Sequence, residues 1–290
     1  MKSNLKEISE EECYDVSTHF SFGENWSEYS QHITDKKIDQ AQENLQQLIS
    51  ADEIKGKTFL DIGCGSGLHS LAALKSGAAI VSSVDFDPNS IKTTEDVLGK
   101  FWDKENYKVT QANILDLSTI DSIPQNHFDI VYSWGVLHHT GNMDQAIKNA
   151  ATYVKPNGKF VIALYKETPM CGFWKKEKSF YTKSPNIVRK ICDYIYAGLY
   201  MLGLVATKRN PVRYIKEYEN MRGMRFMNDV TDWLGGYPYE SISPEGITKM
   251  MDDLGFNLES SYNTNPAQAK GLFGSGCAEY VFVRRYSHFR

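Results

Sequence analysis

Three glycines within five residues, Gly63, Gly65 and Gly67, constrain this chain more than any other feature. They follow Phe59-Leu-Asp-Ile62, a mostly apolar stretch at strand spacing that delivers Asp61 to its end. Residues 68–73 after them read as the first turns of a helix. A strand that passes through glycines into a helix start lets backbone N–H groups approach a ligand closely. Gly-x-Gly-x-Gly alone is weak, because many α/β loops share it without holding anything. The segments around it decide.

From residue 57 the chain alternates. Strands are expected at Thr58–Ile62, 79–85, Tyr107–Gln111, 128–133 and 159–165. Helices separate them: one ending near Ser76, one starting at Pro88 with Asp87 as its cap, and one over 143–154. Lys155-Pro-Asn-Gly158 reads as a turn. This order implies right-handed βαβ units and a parallel sheet. Ser243 and Pro244 open a further helix, and Phe256–Tyr262 with 279–284 form an antiparallel finish. Before the sheet, 35–49 reads as an amphipathic helix with Ile38, Ala41, Leu45 and Leu48 near one face.

Ligands of such sheets lie outside the carboxyl ends of the strands, where strand order switches. Strand one delivers Asp61 and the glycines, and strand two delivers Asp85-Phe86 about twenty residues later. That is the distance at which an acid meets a ribose diol. Strand three is followed by Ala112-Asn113-Ile114, and strand four by Trp134-Gly-Val-Leu-His-His139. A carboxylate accepts from ribose hydroxyls, an aromatic face covers a purine, and an Asn pairs with a base edge. Each residue alone reads as structural; their order around one crevice is specific.

These residues resemble the class I S-adenosylmethionine-dependent methyltransferases, in the branch with the ubiquinone and menaquinone methyltransferases. The resemblance rests on LDIGCGSG at 60–67, VDFDP at 84–88, FDIVYSWGVLHH at 128–139 and Val154-Lys-Pro-Asn-Gly158. It covers 57–165 well and the last forty residues loosely. It implies a Rossmann-like fold, a mainly parallel seven-stranded sheet flanked by helices, with S-adenosyl-L-methionine as cofactor. Asp61, Gly63 and Gly65 would hold the methionine part, Asp85 the ribose and Phe86 the adenine. Asn113 stands where the family often has an Asp near the adenine amine. Ile114 and Trp134 complete the candidate cofactor set.

A dinucleotide fingerprint wants a small residue three places after Gly65, where this chain has Leu68, and no Gly-Lys-Ser/Thr follows for a phosphate loop. Five scattered cysteines, without CxxC or zinc spacing, point to reduced thiols and a cytoplasmic protein with no metal constellation. Residues 1–18 are charged, so secretion is not expected. The apolar run 195–206 is shorter than the ~20 residues of a membrane span, and no membrane partner is expected.

Four units are expected: an arm and lid helix at 1–50, the cofactor core at 51–165, a helical cap at 166–240, and 241–290 completing the core. Aromatic residues including Trp26 and Tyr29 either pack the arm or form a lid over the glycines; the two are compatible. Within the cap, 166–216 carries eleven Lys and Arg against three acids, in a chain of net charge -4. Ile191, Ile195, Leu199 and Leu202 interleave, which predicts a packed cap helix that could also make a homodimer contact. Arg222, Asp232, Trp233 and Tyr237 concentrate in a later segment with paired glycines, as ligand contacts do.

The expected reaction is in-line methyl transfer to a small polar, possibly anionic acceptor such as a metabolite, sugar or natural product. His139 is the first candidate base, ahead of His138, which is expected to pack inward; Asp232 and Tyr237 come second. Trp26, Tyr29, Arg222 and Trp233 are placed on the acceptor side. Two other readings stay open. The basic 166–216 segment could dock RNA or protein for methylation, or the chain could be a non-catalytic module that keeps the cofactor fold.

Overall fold

The computed structural model describes residues 33–120, 123–222, 225–264 and 271–286, with Gly23, Trp26 and Ser30 before them. Of 219–222 only the backbone is described. Tyr29 lies outside the described residues.

The chain opens with α1 (Asp35–Leu48) and the short α2 (Ala51–Ile54). Then β1 (Thr58–Ile62), α3 (Leu68–Lys75), β2 (Ile80–Asp85), α4 (Pro88–Phe101) and β3 (Tyr107–Gln111) alternate. They are followed by β4 (Phe128–Trp134), α5 (Met143–Ala151) and β5 (Val154–Tyr165). Four helices come next: α6 (Cys171–Lys183), α7 (Asn186–Ala206), α8 (Pro211–Arg222) and α9 (Phe226–Gly235). The end is α10 (Pro244–Asp253), β6 (Phe256–Tyr262) and β7 (Cys277–Arg284).

The strands form one seven-stranded sheet in the order β3-β2-β1-β4-β5-β7-β6, parallel except for β7. Strand order therefore reverses between β1 and β4, and the crevice opens there. Residues 59–62 of β1 are all buried, as expected for a strand covered on both faces. One face carries Leu60, Val131 and Ile162 against Ala146 and Ile147 of α5 and Met251 of α10. The other carries Phe59, Ile130 and Val161 against Leu45 of α1 and Leu71 of α3. The helix starts follow their caps: Asp87 accepts from Asn89 N–H ahead of Pro88, and Ser243 accepts from Gly246 N–H ahead of Pro244.

Two sequence expectations need correction. The turn expected at 155–158 lies inside β5, and α5 ends at Ala151 rather than Val154. Val154 pairs with Phe128 and Lys159 with Ile130, so the intervening residues bulge out and the strand resumes. Asn157 takes φ 60° in that bulge, and the Lys155 ammonium pairs with Asp129. The second correction concerns α7. Ile191, Ile195, Leu199 and Leu202 are 53%, 57%, 53% and 66% exposed. They face outward because the inner face of α7 is occupied by Cys192, Tyr196, Ala197, Tyr200 and Met201, packed on the cap's own core of Trp174, Tyr181, Phe226 and Leu234. No helix among the described residues is long and apolar enough to cross a membrane.

Gly158 sits where a Cβ would lie 2.9 Å from the Lys155 carbonyl oxygen and 3.0 Å from those of Phe128 and Asp129. Backbone oxygens cannot swing aside as side chains do. Gly158→Ala is expected to destabilise the fold by roughly 1–3 kcal/mol, read as a lower denaturant midpoint with unchanged slope.

Candidate functional site

The glycine turn is held to the next strand by its backbone. Gly63 and Cys64 N–H both donate to the Val84 carbonyl, at 2.7 and 3.1 Å. Gly65 N–H donates to Asp85 Oδ2 at 2.9 Å, and Asp87 N–H to Asp85 Oδ1 at 2.9 Å. Both Asp85 oxygens thus accept from backbone donors, and the Phe86 N–H adds to them. A carboxylate has about four acceptor positions, so both oxygens keep capacity for a ligand. Burial pushes the Asp85 carboxyl up to about 6, against the lowering effect of the Asp87 and Gly65 donors.

Gly63 takes φ 79°, and a Cβ there would meet Val136 at 2.4 Å. A side chain at this position would close the crevice from below. Above the loop lies Trp26, whose Nε1 would stand 3.1 Å from a Cβ on Gly65. Gly23 N–H donates to Asp87 Oδ2 at 3.0 Å. Gly23 and Trp26 therefore lie beside the turns that follow β1 and β2.

A single cleft of about 2280 Å³ runs from these strand ends to the cap. Gly63, Gly65, Asp85, Phe86, Asn113, Ile114, Trp134, His139, Trp26, Asp232, Trp233 and Tyr237 all line it. Asn113 Oδ1 accepts from Leu115 N–H at 3.0 Å, which fixes its side chain in an Asx turn. Trp134 Nε1 donates to Glu279 Oε1 at 2.8 Å. Asp61 differs from expectation, since it does not line the cleft. It is 2% exposed, accepts from Ser70 Oγ at 2.6 Å, and is raised by burial to about 7. It acts behind the wall, tying β1 to α3. Arg222 closes α8, and its side chain is not among those described.

Beyond β4 the two histidines part. His138 is fully buried, its ring 3.9 Å from that of Tyr165. Burial first, then the charges of His139 and Lys178, hold it well below the ordinary imidazole value, so it is neutral. Neither His138 nitrogen has a hydrogen-bond partner among the described residues, and neither has Trp233 Nε1. Both rings line the cleft. An unpaired buried polar group costs about 1–3 kcal/mol, and the described residues supply no partner that offsets it. His139 is half-buried, with Nδ1 2.8 Å from the Pro238 carbonyl oxygen. A carbonyl only accepts, so Nδ1 carries a hydrogen directed at Pro238, and in the neutral ring Nε2 is the acceptor nitrogen.

Several site residues escaped the sequence reading. His69, on the first turn of α3, lines the cleft, and burial lowers it to about 4. Tyr165 ends β5 and lines the cleft; the strand-end rule applied to strands one to four would have found it. Tyr196, Tyr200, Phe226 and Phe273 supply an aromatic wall from the cap side. Lys178 had no sequence signal. It is fully buried, with Nζ 3.7 Å over the Trp233 ring and no hydrogen-bond partner among the described residues. Burial pushes its ammonium down and the neighbouring Glu177 carboxyl up.

A methyltransferase-domain family model matches residues 32–261. Ubiquinone biosynthesis O-methyltransferase of Coxiella burnetii is 37% identical over 106 residues, 37% of this chain and 42% of that protein. A tRNA U34 carboxymethyltransferase of Hydrogenovibrio crunogenus is 34% identical over 113 residues, 38% of this chain and 32% of that protein. The chain thus spans less than half the length of these curated relatives. Among solved structures, a putative methyltransferase in complex with the Haloferax volcanii Trm112 activator superposes with a TM-score of 0.54. It is 13% identical, covering 92% of this chain and 97% of that one. Magnesium protoporphyrin IX methyltransferase from Synechocystis, solved with S-adenosylhomocysteine, gives 0.50 at 14% identity, over 86% and 84% of the two chains. Strand order, glycine turn and family match agree, and the chain belongs to the methyltransferase-domain family, as a class I S-adenosylmethionine-dependent member.

Proposed function

We propose that this chain transfers a methyl group from S-adenosylmethionine to a hydroxyl of a small polar, anionic acceptor held beneath the cap. The observation that carries this reading is the continuity of the cleft. It joins Asp85 and Phe86 at the end of β2 to Trp233 and Tyr196 of the cap. Its volume of about 2280 Å³ exceeds the roughly 300–1,000 Å³ that one ligand occupies, which leaves room for cofactor and acceptor together.

The residues fit the cofactor on two counts. Asp85 offers ionisable oxygens whose remaining lone pairs suit a ribose diol. The glycine at position 65 leaves space beside Trp26 that a Cβ there would narrow. Phe86, Asn113 and Ile114 would hold the adenine, and Gly63 and Gly65 the methionine part, with Asp61 bracing the loop from behind. When bound, S-adenosylmethionine supplies an electrophilic methyl group on a sulfonium. The chain's own task is to orient the acceptor and exclude water. Such positioning can contribute several kcal/mol.

His139 takes the hydroxyl proton at Nε2, since the Pro238 carbonyl fixes the hydrogen on Nδ1. Asp232 and Tyr237 stand as second candidates. His138 and Trp233 donate to oxygens of the acceptor, and the Lys178 ammonium behind the Trp233 ring favours negative charge there. The roof of Trp26 and the cap aromatics favours a small molecule over RNA or a protein chain.

Two outcomes follow for the cofactor. In calorimetry, Asp85→Ala is expected to bind S-adenosylhomocysteine roughly 100-fold more weakly than the parent. The Asp85 carboxyl of the free protein sits at about 6, and ribose hydroxyls favour its ionised form. Binding therefore releases a proton, and affinity rises from about pH 5 to about pH 8 in the parent but not in Asp85→Asn. For the acceptor, methyl-labelled cofactor is incubated with whole cell extract, which is then separated into small-molecule, RNA and protein fractions. Label is expected in the small-molecule fraction, with roughly 100-fold less for His139→Ala; label found only in RNA or protein contradicts the reading.

A further inference from the structure

The outer face of α7 serves neither cofactor nor acceptor. Ile187, Ile191, Tyr194, Ile195, Leu199 and Leu202 are each between 53% and 75% exposed, and Val205 continues them at 59%. Lys190 is the one charged residue on this face of the helix. At 1.5 Å per residue the stripe runs roughly 30 Å. Single exposed apolar residues are ordinary, whereas a contiguous stripe of this size marks an interaction surface.

Charge identifies the occupant. Lys190 lies near the first turn of α7, with Lys183 just before it; Lys208, Arg209 and Lys216 follow its end, whereas Arg189 donates to the Tyr181 and Thr182 carbonyls and Arg213 pairs with Glu217. The three acids of 166–216 do not offset this rim on the outer face. Asp193 is buried and accepts from Tyr181, Glu177 is half-buried beside Lys178, and Glu167 lies at the cap's base beside Ile242. A second copy of the chain would bring the same basic rim against itself, as a two-fold contact must. A surface of anionic phosphates meets both features at once.

We propose that α7 docks the protein on the surface of an anionic lipid bilayer. The helix lies in the plane of the interface, its apolar stripe at the boundary of headgroups and acyl chains and its basic ends on lipid phosphates. The sequence expectation of no membrane partner weighed only a spanning segment; a helix too short to cross can still lie flat. The inner face of the same helix, through Tyr196 and Tyr200, lines the cleft. Docking therefore places the acceptor chamber beside the lipid surface.

The test is flotation of the full chain with vesicles of phosphatidylcholine alone or mixed with phosphatidylglycerol, at low salt and at roughly 0.5 M salt. Flotation with the mixed vesicles is expected, weakened by salt and by omission of phosphatidylglycerol. The triple variant Ile191→Glu, Ile195→Glu, Leu202→Glu is expected to float roughly tenfold less, with S-adenosylhomocysteine affinity unchanged as a check on folding. Should that variant misfold, Lys190→Glu with Arg209→Glu carries the test, with binding to mixed vesicles lost. No flotation of the parent, or flotation untouched by these substitutions, overturns the proposal. So does a dimer in light scattering that the triple variant splits, because the stripe would then be covered by a second copy.

Discussion

The Asp85 carboxylate is the fixed point of this molecule. Its two oxygens receive backbone N–H groups from opposite sides, Gly65 in the turn after β1 and Asp87 at the head of α4. One side chain thus ties the first strand's turn to the second strand's helix and sets the floor of the crevice. The arrangement comes at a cost in solvation, seen in how far burial raises the group. In the proposed function, the acceptor capacity that this carboxylate keeps toward the cleft serves a ligand that donates hydrogen bonds. The glycines follow from the same requirement, because the backbone must come within 2.9 Å of Asp85 and still pass Val136 and Thr94.

The cap supplies what the sheet cannot. Strands and turns build a nucleoside site, but the aromatic wall comes from α7 and α9 with the segment around Phe273. The cap has its own small core, so its inner surface is a rigid face. Lys178 is set within that face, over Trp233, where an ammonium is stabilised by the ring and destabilised by burial. Nitrogens of His138 and Trp233 that have no hydrogen-bond partner among the described residues lie on the same wall. Polar groups left unsatisfied among aromatic rings define a shape and a polarity for whatever binds. The outer side of α7 repeats the contrast of apolar stripe and cations, this time toward the exterior.

The sheet was legible in the sequence because its signals are local and periodic. β1, β3 and β6 carry the expected bounds, and β2 and β4 differ by one residue. The bulge in β5 was not legible, since Lys-Pro-Asn-Gly is turn chemistry and only pairing with Phe128 and Ile130 shows that the strand resumes. Asp61 reads like a ligand contact from its place before the glycines, yet Ser70, nine residues on, takes it. Which face of an apolar helix points inward cannot be read from composition alone. α7 is apolar on both sides, and tertiary packing chose Tyr196 and Tyr200 over Ile191 and Ile195 for the interior. Lys178 is the extreme case, a lysine on a helix rich in lysines that the fold buries completely.

The central claim is that one nucleoside lies across the tips of β1, β2 and β3 with its sulfur directed at the aromatic chamber. A crystal structure of the full chain with S-adenosylhomocysteine tests it most directly. The account predicts both ribose hydroxyls within hydrogen-bond distance of Asp85, adenine against Phe86, and the sulfur facing the wall of Tyr165 and Trp233. Density for the nucleoside elsewhere, or a sulfur turned away from that wall, would contradict it.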